Sequence, residues 1–218
     1  NNTYKINNIK FVNSNTGCAF GNNGKILRTT DYGSNWIIST TPTNKNLIVG
    51  KFINSITGFV IGNSGTVLKS TDLGNTWNFI PASISDSFDC KDIDFINENT
   101  GWIVAQRLTG VGYPFNITYY RTKIFRTTNS GDSWESLYDS TATNSNGYFY
   151  NGIRFFDIQN GWAFTSSKIM RTTNGGANWT NLQSNIGFNI NKLVMMNSQT
   201  GWIGGTSIVN GYGWGSMY

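Results

Sequence analysis

Apolar and polar residues alternate in a short segment that recurs five times along the 218-residue chain. Its form is apolar-x-apolar-x-[Asn/Asp]-x-x-x-Gly, with Gly50 in the first position of the second copy. A period of two is typical of a strand with one buried face. The five copies span residues 9–17, 50–58, 93–101, 153–161 and 193–201. We therefore predict a first strand and a turn in each of five units.

A short apolar run follows the glycine of each copy and predicts a second, more buried strand. These runs are 18–20, 59–61, 102–104, 162–164 and 202–203. In the first two units, Asn-Gly turn residues lead to a third strand, because Asn and Gly tolerate positive φ. The third strands are predicted at 26–29, 67–70, 124–127 and 169–172. No stretch keeps apolar spacings of three and four over ten residues, so no helix is predicted.

An eight-residue pattern, [Ser/Thr]-x-[Asp/Asn]-x-Gly-x-x-Trp, occurs four times and is called the tryptophan box below. Its copies end at Trp36, Trp77, Trp134 and Trp179, and each would turn the chain into a fourth strand. From the glycine of the first motif to the tryptophan is 19 residues in two units, 18 in the fourth and 33 in the third. Four strands per unit and a period of about 40–45 residues predict the blades of a β-propeller.

We expect an all-β fold in which residues 1–218 form a single, partial β-propeller of four-stranded antiparallel blades. The repeats are placed at about 5–46, 47–88, 89–148, 149–188 and 189–218, the last being truncated because it has no tryptophan box. The expectation is four blades and the start of a fifth in a protein that continues into a larger ring. A four-blade ring capped by the fifth unit is the alternative.

Only 12% of the residues are charged, and the net charge of +5 is spread without a basic run. This argues against a nucleic-acid partner, which requires a clustered basic patch. No apolar run reaches 18 residues, so no membrane span is expected. Polarity supplied by uncharged Asn and Thr suits an extracellular, periplasmic or cell-surface protein, although no signal peptide lies in this chain.

Two cysteines, Cys18 and Cys90, fall in units that are not neighbours, so buried free thiols are favoured over a disulfide. The sequence has no histidine. A Ser-His-Asp triad and a histidine-containing metal site are therefore excluded within this chain. We expect no catalytic residue, no metal and no cofactor.

The tryptophan box resembles the Asp box of sialidases, sortilin-type receptors and xyloglucan-active hydrolases. The longer form, Arg-Thr-Thr-[Asp/Asn]-x-Gly-x-x-Trp after Phe-x-Asn-x-x-x-Gly-Trp, most resembles the photosystem II stability/assembly factor family. The second unit departs from it with Lys69 and Ser70, and the last two boxes have Asn for Asp. The resemblance implies turn and packing roles for the box acids or amides, glycines and tryptophans: Asp31, Gly33, Trp36, Asp72, Gly74, Trp77, Asn129, Gly131, Trp134, Asn174, Gly176 and Trp179.

A basic residue stands at one equivalent position of four units. These are Arg28, Lys69, Arg126 and Arg171. In a ring they could present a repeated basic feature to an acidic partner. Alternatively, each is a solvated or locally paired strand residue.

The extra residues of the third unit, 107–123, join its second and third strands. They include Arg107, Tyr113, Tyr119, Tyr120 and Arg121, and Tyr and Arg are enriched in recognition hot spots. An aromatic hairpin could equally pack over a neighbouring blade.

Two functions remain open. The first is a non-catalytic binding or scaffold propeller whose loop face recognises a protein or a glycan. The second is a glycoside hydrolase of the sialidase or xyloglucanase type, with catalytic residues partly outside this chain. A hydrolase needs two carboxyl groups about 5–10 Å apart. Asp86 and Asp89 could supply such a pair, whereas Glu98 and Glu135 are poorly placed. The sequence leaves the ligand, the blade number and the oligomeric state open.

Overall fold

A computed structural model describes residues 5–80, 84–112, 117–141, 150–184, 189–197, 199–209 and 212–217. Across these residues the chain forms nineteen β-strands, one 3-10 turn (Asn22–Gly24) and no α-helix. The strands are β1 (Ile6–Phe11), β2 (Gly17–Gly21), β3 (Ile26–Thr29), β4 (Ile37–Ser39), β5 (Leu47–Phe52), β6 (Gly58–Gly62), β7 (Val67–Ser70), β8 (Asn78–Phe79), β9 (Asp89–Phe95), β10 (Gly101–Gly112), β11 (Ile117–Thr127), β12 (Glu135–Thr141), β13 (Tyr150–Phe155), β14 (Gly161–Thr165), β15 (Lys168–Thr172), β16 (Thr180–Ser184), β17 (Asn189–Met195), β18 (Gly201–Val209) and β19 (Tyr212–Met217).

The strands pair in sequence order to give five sheets, which are numbered here along the chain. The first four contain β1–β4, β5–β8, β9–β12 and β13–β16, and the fifth contains β17–β19. Each is an up-and-down meander, the arrangement of a propeller blade. The predicted all-β class with four-stranded antiparallel units is confirmed. No helix in the described residues is long and apolar enough to cross a membrane.

The chain divides into two compact units, the first formed by Asn1–Gly101 with Thr127–Glu135. Its core includes a cluster in which Phe20, Leu47, Val60 and Leu68 are fully buried. Trp77 joins this cluster and meets the Phe20 ring edge-on, with centroids 5.5 Å apart. The second strands β2 and β6 therefore lie at the centre of the packing, as their short apolar runs predict. In the fifth sheet, by contrast, Trp202 of β18 is 47% exposed.

The second unit comprises Trp102–Arg126 and Ser136–Tyr218. The rings of Trp102 and Phe155 stack in parallel there, with centroids 3.6 Å apart. A further cluster places Trp162 and Phe164 of β14 against Ile190 and Leu193 of β17. Successive sheets of this unit thus bury the second strand of one against the first strand of the next.

A register shift interrupts the pairing of the first and second strands in the first, second, fourth and fifth sheets. It falls at Asn7, Ile48, Asn151 and Asn191, so one extra residue stands in each first strand. Such bulges redirect a side chain away from the regular alternation. Asn7 uses this freedom to donate from Nδ2 to the Leu47 carbonyl of the next sheet, at 2.9 Å.

We expect Gly50→Ala to destabilise the protein by roughly 1–3 kcal/mol. A Cβ at Gly50 would overlap the Phe20 ring, which fills the space beside it. The urea midpoint of unfolding, followed by tryptophan fluorescence, measures this loss.

The matched control is Gly204→Ala, since nothing lies within 4 Å of a Cβ built at Gly204. In dilute solution it should shift the free energy of unfolding by less than about 0.5 kcal/mol. Phe20→Val added to Gly50→Ala should recover part of the loss. An unchanged midpoint in Gly50→Ala would contradict this packing.

Candidate functional site

The tryptophan box of the second sheet is a closed network of short-range hydrogen bonds. Ser70 Oγ donates to the Asp72 carboxylate at 2.8 Å and accepts the Gly74 N–H at 2.9 Å. Asp72 Oδ1 accepts the backbone N–H of Thr76 at 2.9 Å. Trp77 Nε1 then donates to the Gly74 carbonyl at 3.1 Å. The side chains at the three fixed polar positions of the motif, Ser70, Asp72 and Trp77, are therefore hydrogen-bonded within their own turn.

The other three boxes repeat the same network. In each, the acid or amide oxygen accepts the N–H four residues on, from Asn35, Ser133 or Asn178, at 2.9–3.0 Å. Asn129 and Asn174 thus make the bond that Asp31 and Asp72 make, because only an oxygen acceptor is needed. The tryptophan indoles of Trp36, Trp134 and Trp179 bond to Gly33, Gly131 and Gly176 in the same way.

Two consecutive residues with positive φ shape each box. The glycines Gly33, Gly74, Gly131 and Gly176 have φ of 76–99°. The residues before them, Tyr32, Leu73, Ser130 and Gly175, also have positive φ, at 56–71°. This second position was missed from the sequence, because three of its four residues are not glycine. Its left-handed backbone turns the carbonyl of that residue away from the box.

The preceding sheet supplies a donor to that carbonyl. Arg28 Nε donates to the Leu73 oxygen at 2.9 Å, and Lys69 Nζ donates to the Ser130 oxygen at 2.7 Å. Trp102 Nε1 donates to the Gly175 oxygen at 2.8 Å. Two of the four basic residues, Arg28 and Lys69, therefore hydrogen-bond to the next sheet. This agrees with the alternative prediction that these residues are paired within the structure. Their binding role stays a prediction.

Of the other two basic residues, Arg126 approaches the next box, whereas Arg171 contacts its own sheet. Arg126 places Nη1 3.4 Å from the position of a Cβ on Gly175. The Arg171 guanidinium stands over the Trp162 ring, 5.7 Å from its centroid, and its Nη2 is 3.4 Å from the Asn160 oxygen. Lys69 lies over the Phe59 ring at the same 5.7 Å. Arg171 and Lys69 thus each lie over the aromatic ring of the residue paired with them in the second strand.

In the first three sheets, the residue after the first-motif glycine contacts the box of the next sheet, a role the sequence analysis did not identify. A Cβ on Gly74 would meet the Cys18 sulfur, and one on Gly131 would meet the Phe59 ring. Trp102 occupies the corresponding place beside Gly176. The constant spacing from the first-motif glycine was the available signal. The side chains themselves share only their apolar character.

The insertion of the third unit lengthens two strands rather than forming a loop. β10 has twelve residues and β11 eleven, whereas β2 and β3 have five and four. Arg107, Tyr120 and Arg121 lie on this hairpin and are partly exposed. Tyr119 belongs to β11, and Tyr113 lies outside the described residues.

One carboxylate serves two cations on the hairpin. Arg121 Nε donates to Asp139 of β12 at 2.6 Å, and Lys123 Nζ lies 3.3 Å from the same carboxylate. The Arg121 hydrogen bonds, aided by Lys123, lower the pKa of Asp139. Arg107, with its side chain on the same hairpin, adds a further positive charge.

The acids considered for hydrolysis are either hydrogen-bonded to nearby backbone or exposed at turns and strand ends. Asp89 accepts the Ser64 N–H at 3.1 Å and lies 3.4 Å from Lys91 Nζ. Asp86 is exposed near a cluster of serines, and Glu98 and Glu135 are exposed in a turn and at the start of β12. Across the described ranges, no three His, Cys, Asp or Glu residues gather as metal ligands would.

The family model described as "Photosynthesis system II assembly factor YCF48" matches residues 29–138 of the chain. Among curated proteins, none matches the sequence. The matched segment covers the first two tryptophan boxes, the hairpin and the third box.

Several solved structures are similar in fold. An ancestral GH74 enzyme has a TM-score of 0.68 and 17% identity, over 93% of this chain and 28% of the enzyme. The GH74 xyloglucanase from Xanthomonas campestris has a TM-score of 0.60 and 12% identity, over 92% of this chain and 34% of the enzyme. YCF48 bound to a D1 peptide has a TM-score of 0.49 and 14% identity, over 92% and 90%. The chain spans only about a third of either enzyme. At these identities the likeness shows the fold, and the predicted β-propeller is confirmed.

We expect the double variant Asp31→Asn/Asp72→Asn to lose part of the acid dependence of stability. Hydrogen bonds from Asn35 lower the pKa of Asp31, and those from Thr76 lower the pKa of Asp72 although its burial opposes them. A carboxyl group whose pKa is lowered in the folded state stabilises the fold fully above its unfolded pKa of about 4. This stabilisation is lost as the pH falls through the pKa of the folded state.

The free energy of unfolding should therefore fall less steeply in the double variant than in the native protein between about pH 5 and pH 2. At neutral pH the two should be similar, because Asn129 and Asn174 already serve the same turn. Asp86→Asn, at an exposed loop carboxyl, is the control and should keep the native slope. An equally steep fall in the double variant would count against this account.

Proposed function

We propose that this chain, which belongs to the photosynthesis system II assembly factor YCF48 family, is a non-catalytic scaffold that binds a protein partner. Its recognition element is the β10–β11 hairpin with Asp139 and its cations. The repeated chemistry of the boxes is used within the turns and between sheets. What differs from one repeat to the next is then the part available for recognition.

The observation that carries this proposal is the extension of the β10–β11 hairpin in the third sheet. β10 and β11 run to twelve and eleven residues, while the corresponding strands of the other four-stranded sheets have four or five. A Leu108 side chain that is 57% exposed adds an apolar contact point. Apolar and Arg/Tyr groups together are typical of the centre of a protein interface.

The charge of the hairpin favours an acidic partner. Arg121 and Lys123 share the single carboxylate of Asp139, and Arg107 lies on the same two strands. The local balance is positive, so an acidic peptide segment would be steered to it and held at moderate ionic strength. Glycan recognition is the other form of this proposal, and it would depend on Tyr120 rather than on charge.

We expect Arg107→Ala/Arg121→Ala to weaken binding of a labelled peptide of Asp and Glu residues about tenfold or more. Fluorescence anisotropy measures the dissociation constant, and raising the salt should weaken native binding. Lys45→Ala, at an exposed lysine outside the hairpin, is the matched control and should bind like the native chain. The D1 peptide is a second probe for the same variants.

Equal binding by the native chain and the double variant would overturn the hairpin assignment. Release of reducing ends from xyloglucan, lost on Asp89→Asn, would instead favour the hydrolase alternative. Xyloglucan binding without hydrolysis, lost on Tyr120→Ala but kept in the double variant, would favour the glycan form.

We also propose that the protein works outside the cytoplasm. Support comes from the low share of charged residues, 12%, and from the state of the thiols. Burial raises the pKa of both Cys18 and Cys90 to about 12. Thiols held protonated and inaccessible resist oxidation, which suits an oxidising compartment.

The native protein should therefore show no thiol reactive towards Ellman's reagent, and both should react after unfolding in guanidinium chloride. An antibody should detect the protein in the extracellular, periplasmic or surface fraction of its source cells. Recovery with the cytosolic fraction would contradict this localisation, and rapid reaction of native thiols would remove its structural support.

A further inference from the structure

The β10–β11 hairpin leaves the buried body of the third sheet at one level on both strands. Residues 101–106 of β10 are all buried, whereas residues 107–110 are half-buried or exposed. On β11, Thr122 is buried and Arg121, directly before it, is half-buried. Gln106 and Thr122 therefore mark the boundary between the buried sheet and the described part of its extension.

The two boundary residues are polar and are hydrogen-bonded to each other. Gln106 is 1% exposed and Thr122 is 2% exposed. Gln106 Nε2 donates to Thr122 Oγ1 at 2.9 Å, and Gln106 Oε1 accepts the backbone N–H of Tyr150 at 3.1 Å. Tyr150 is the first residue of β13 in the fourth sheet and is itself buried. One buried amide therefore links the two strands of the hairpin to each other and to the next sheet.

The fourth sheet makes the equivalent link with its backbone. Ser166 stands where Gln106 does, five residues after the first-motif glycine, and lies in the turn between β14 and β15. The Ser166 carbonyl accepts the backbone N–H of Ile190 of the fifth sheet at 2.8 Å. Ile190 and Tyr150 are equivalent, because each directly precedes the bulged residue of its first strand. In the third sheet the strand continues through Gln106, and the side-chain oxygen makes the bond that a turn carbonyl makes in the fourth.

We infer that Gln106 is a positioning residue that holds the β10–β11 hairpin in place for binding. This role rests on the proposed function, in which the hairpin is the recognition element. Gln106 Oε1 fixes the base of the hairpin to the fourth sheet, and Nε2 holds β10 against β11. A recognition element whose orientation is already fixed loses less conformational entropy on binding than a mobile one. Gln106 is buried, so it acts on a partner through the exposed part of the hairpin.

The position requires a donor and an acceptor on one side chain. The glutamine amide has both, whereas methionine, of similar length, offers only a weakly accepting sulfur. A buried N–H that has lost its acceptor is unfavourable, because it has also lost its bond to water. We therefore expect Gln106→Met to keep the packing of this side chain while releasing the base of the hairpin from Tyr150 and Thr122.

Hydrogen–deuterium exchange tests this anchor without any ligand. In Gln106→Met, the amides of residues 107–112 and 117–121 should exchange about tenfold or more faster than in the native chain, because the base of the hairpin opens more readily. Residues 58–62 of β6 should exchange at the native rate. Thr122→Val, which removes one of the two bonds, should give a smaller increase, and Thr122→Ser, which keeps the hydroxyl group, should give none. Native exchange throughout Gln106→Met would overturn the inference.

Binding of the labelled peptide of Asp and Glu residues connects the anchor to recognition. Gln106→Met should raise the dissociation constant about fivefold or more, because the hairpin must now be ordered on binding. Its dependence on salt should stay native, since every charge of the hairpin remains. Arg107→Ala/Arg121→Ala should give the opposite pattern, a weaker salt dependence with hairpin exchange close to the native rate. Native affinity in Gln106→Met despite faster exchange would overturn the positioning role.

Gly50→Ala is the matched control for a general loss of stability, because it disturbs the packing of the first compact unit. It should leave both hairpin exchange and peptide affinity at their native values, and equal loosening of the hairpin in this variant would overturn the anchor. If the native chain fails to bind the peptide, the proposed acidic partner is wrong. Faster hairpin exchange in Gln106→Met would then still support the anchor.

Discussion

The carbonyl before the tryptophan-box glycine is the group on which the stacking of neighbouring sheets depends in three of the four boxes. Two residues with positive φ turn this oxygen out of the box, at Leu73 and Gly74 for example. A hydrogen bond to such a carbonyl contributes roughly 0.5–1.5 kcal/mol, and in three boxes the preceding sheet supplies the donor. Arg28, Lys69 and Trp102 do so with three different side chains at 2.7–2.9 Å. The bond couples the local turn to the stacking of sheets.

This coupling explains why the most recognisable residues of the chain are poor candidates for function. Asp31 and Asp72 accept hydrogen bonds from backbone N–H groups of their own turns. Arg28 and Lys69 donate hydrogen bonds to the next box. The proposed recognition element is instead the β10–β11 hairpin, whose strands are longer than those of the other four-stranded sheets.

The interfaces between sheets share a geometry but not a composition. Cys18, Phe59 and Trp102 differ greatly in size, yet each reaches the glycine of the next box. The neighbouring positions compensate, most clearly where Phe20 packs into the space above Gly50. Close packing requires the total volume at an interface to be right, and leaves the individual residues free to vary. A single consensus side chain would therefore describe none of these contacts well.

The strands, their order and the boxes could be predicted from the sequence alone, because these depend on contacts within a few residues. The period of two, the glycine after four residues and the acceptor at Asp72 for the Thr76 N–H are all short-range features. Tertiary structure decided which side chains meet. Trp102 and Gly175 are 73 residues apart in the chain, and no local pattern pairs them. It also decided that Ile9 is exposed while Ile153, in the same motif, is buried. Periodicity shows which side of a strand is apolar, whereas burial depends on whether another sheet packs against that side.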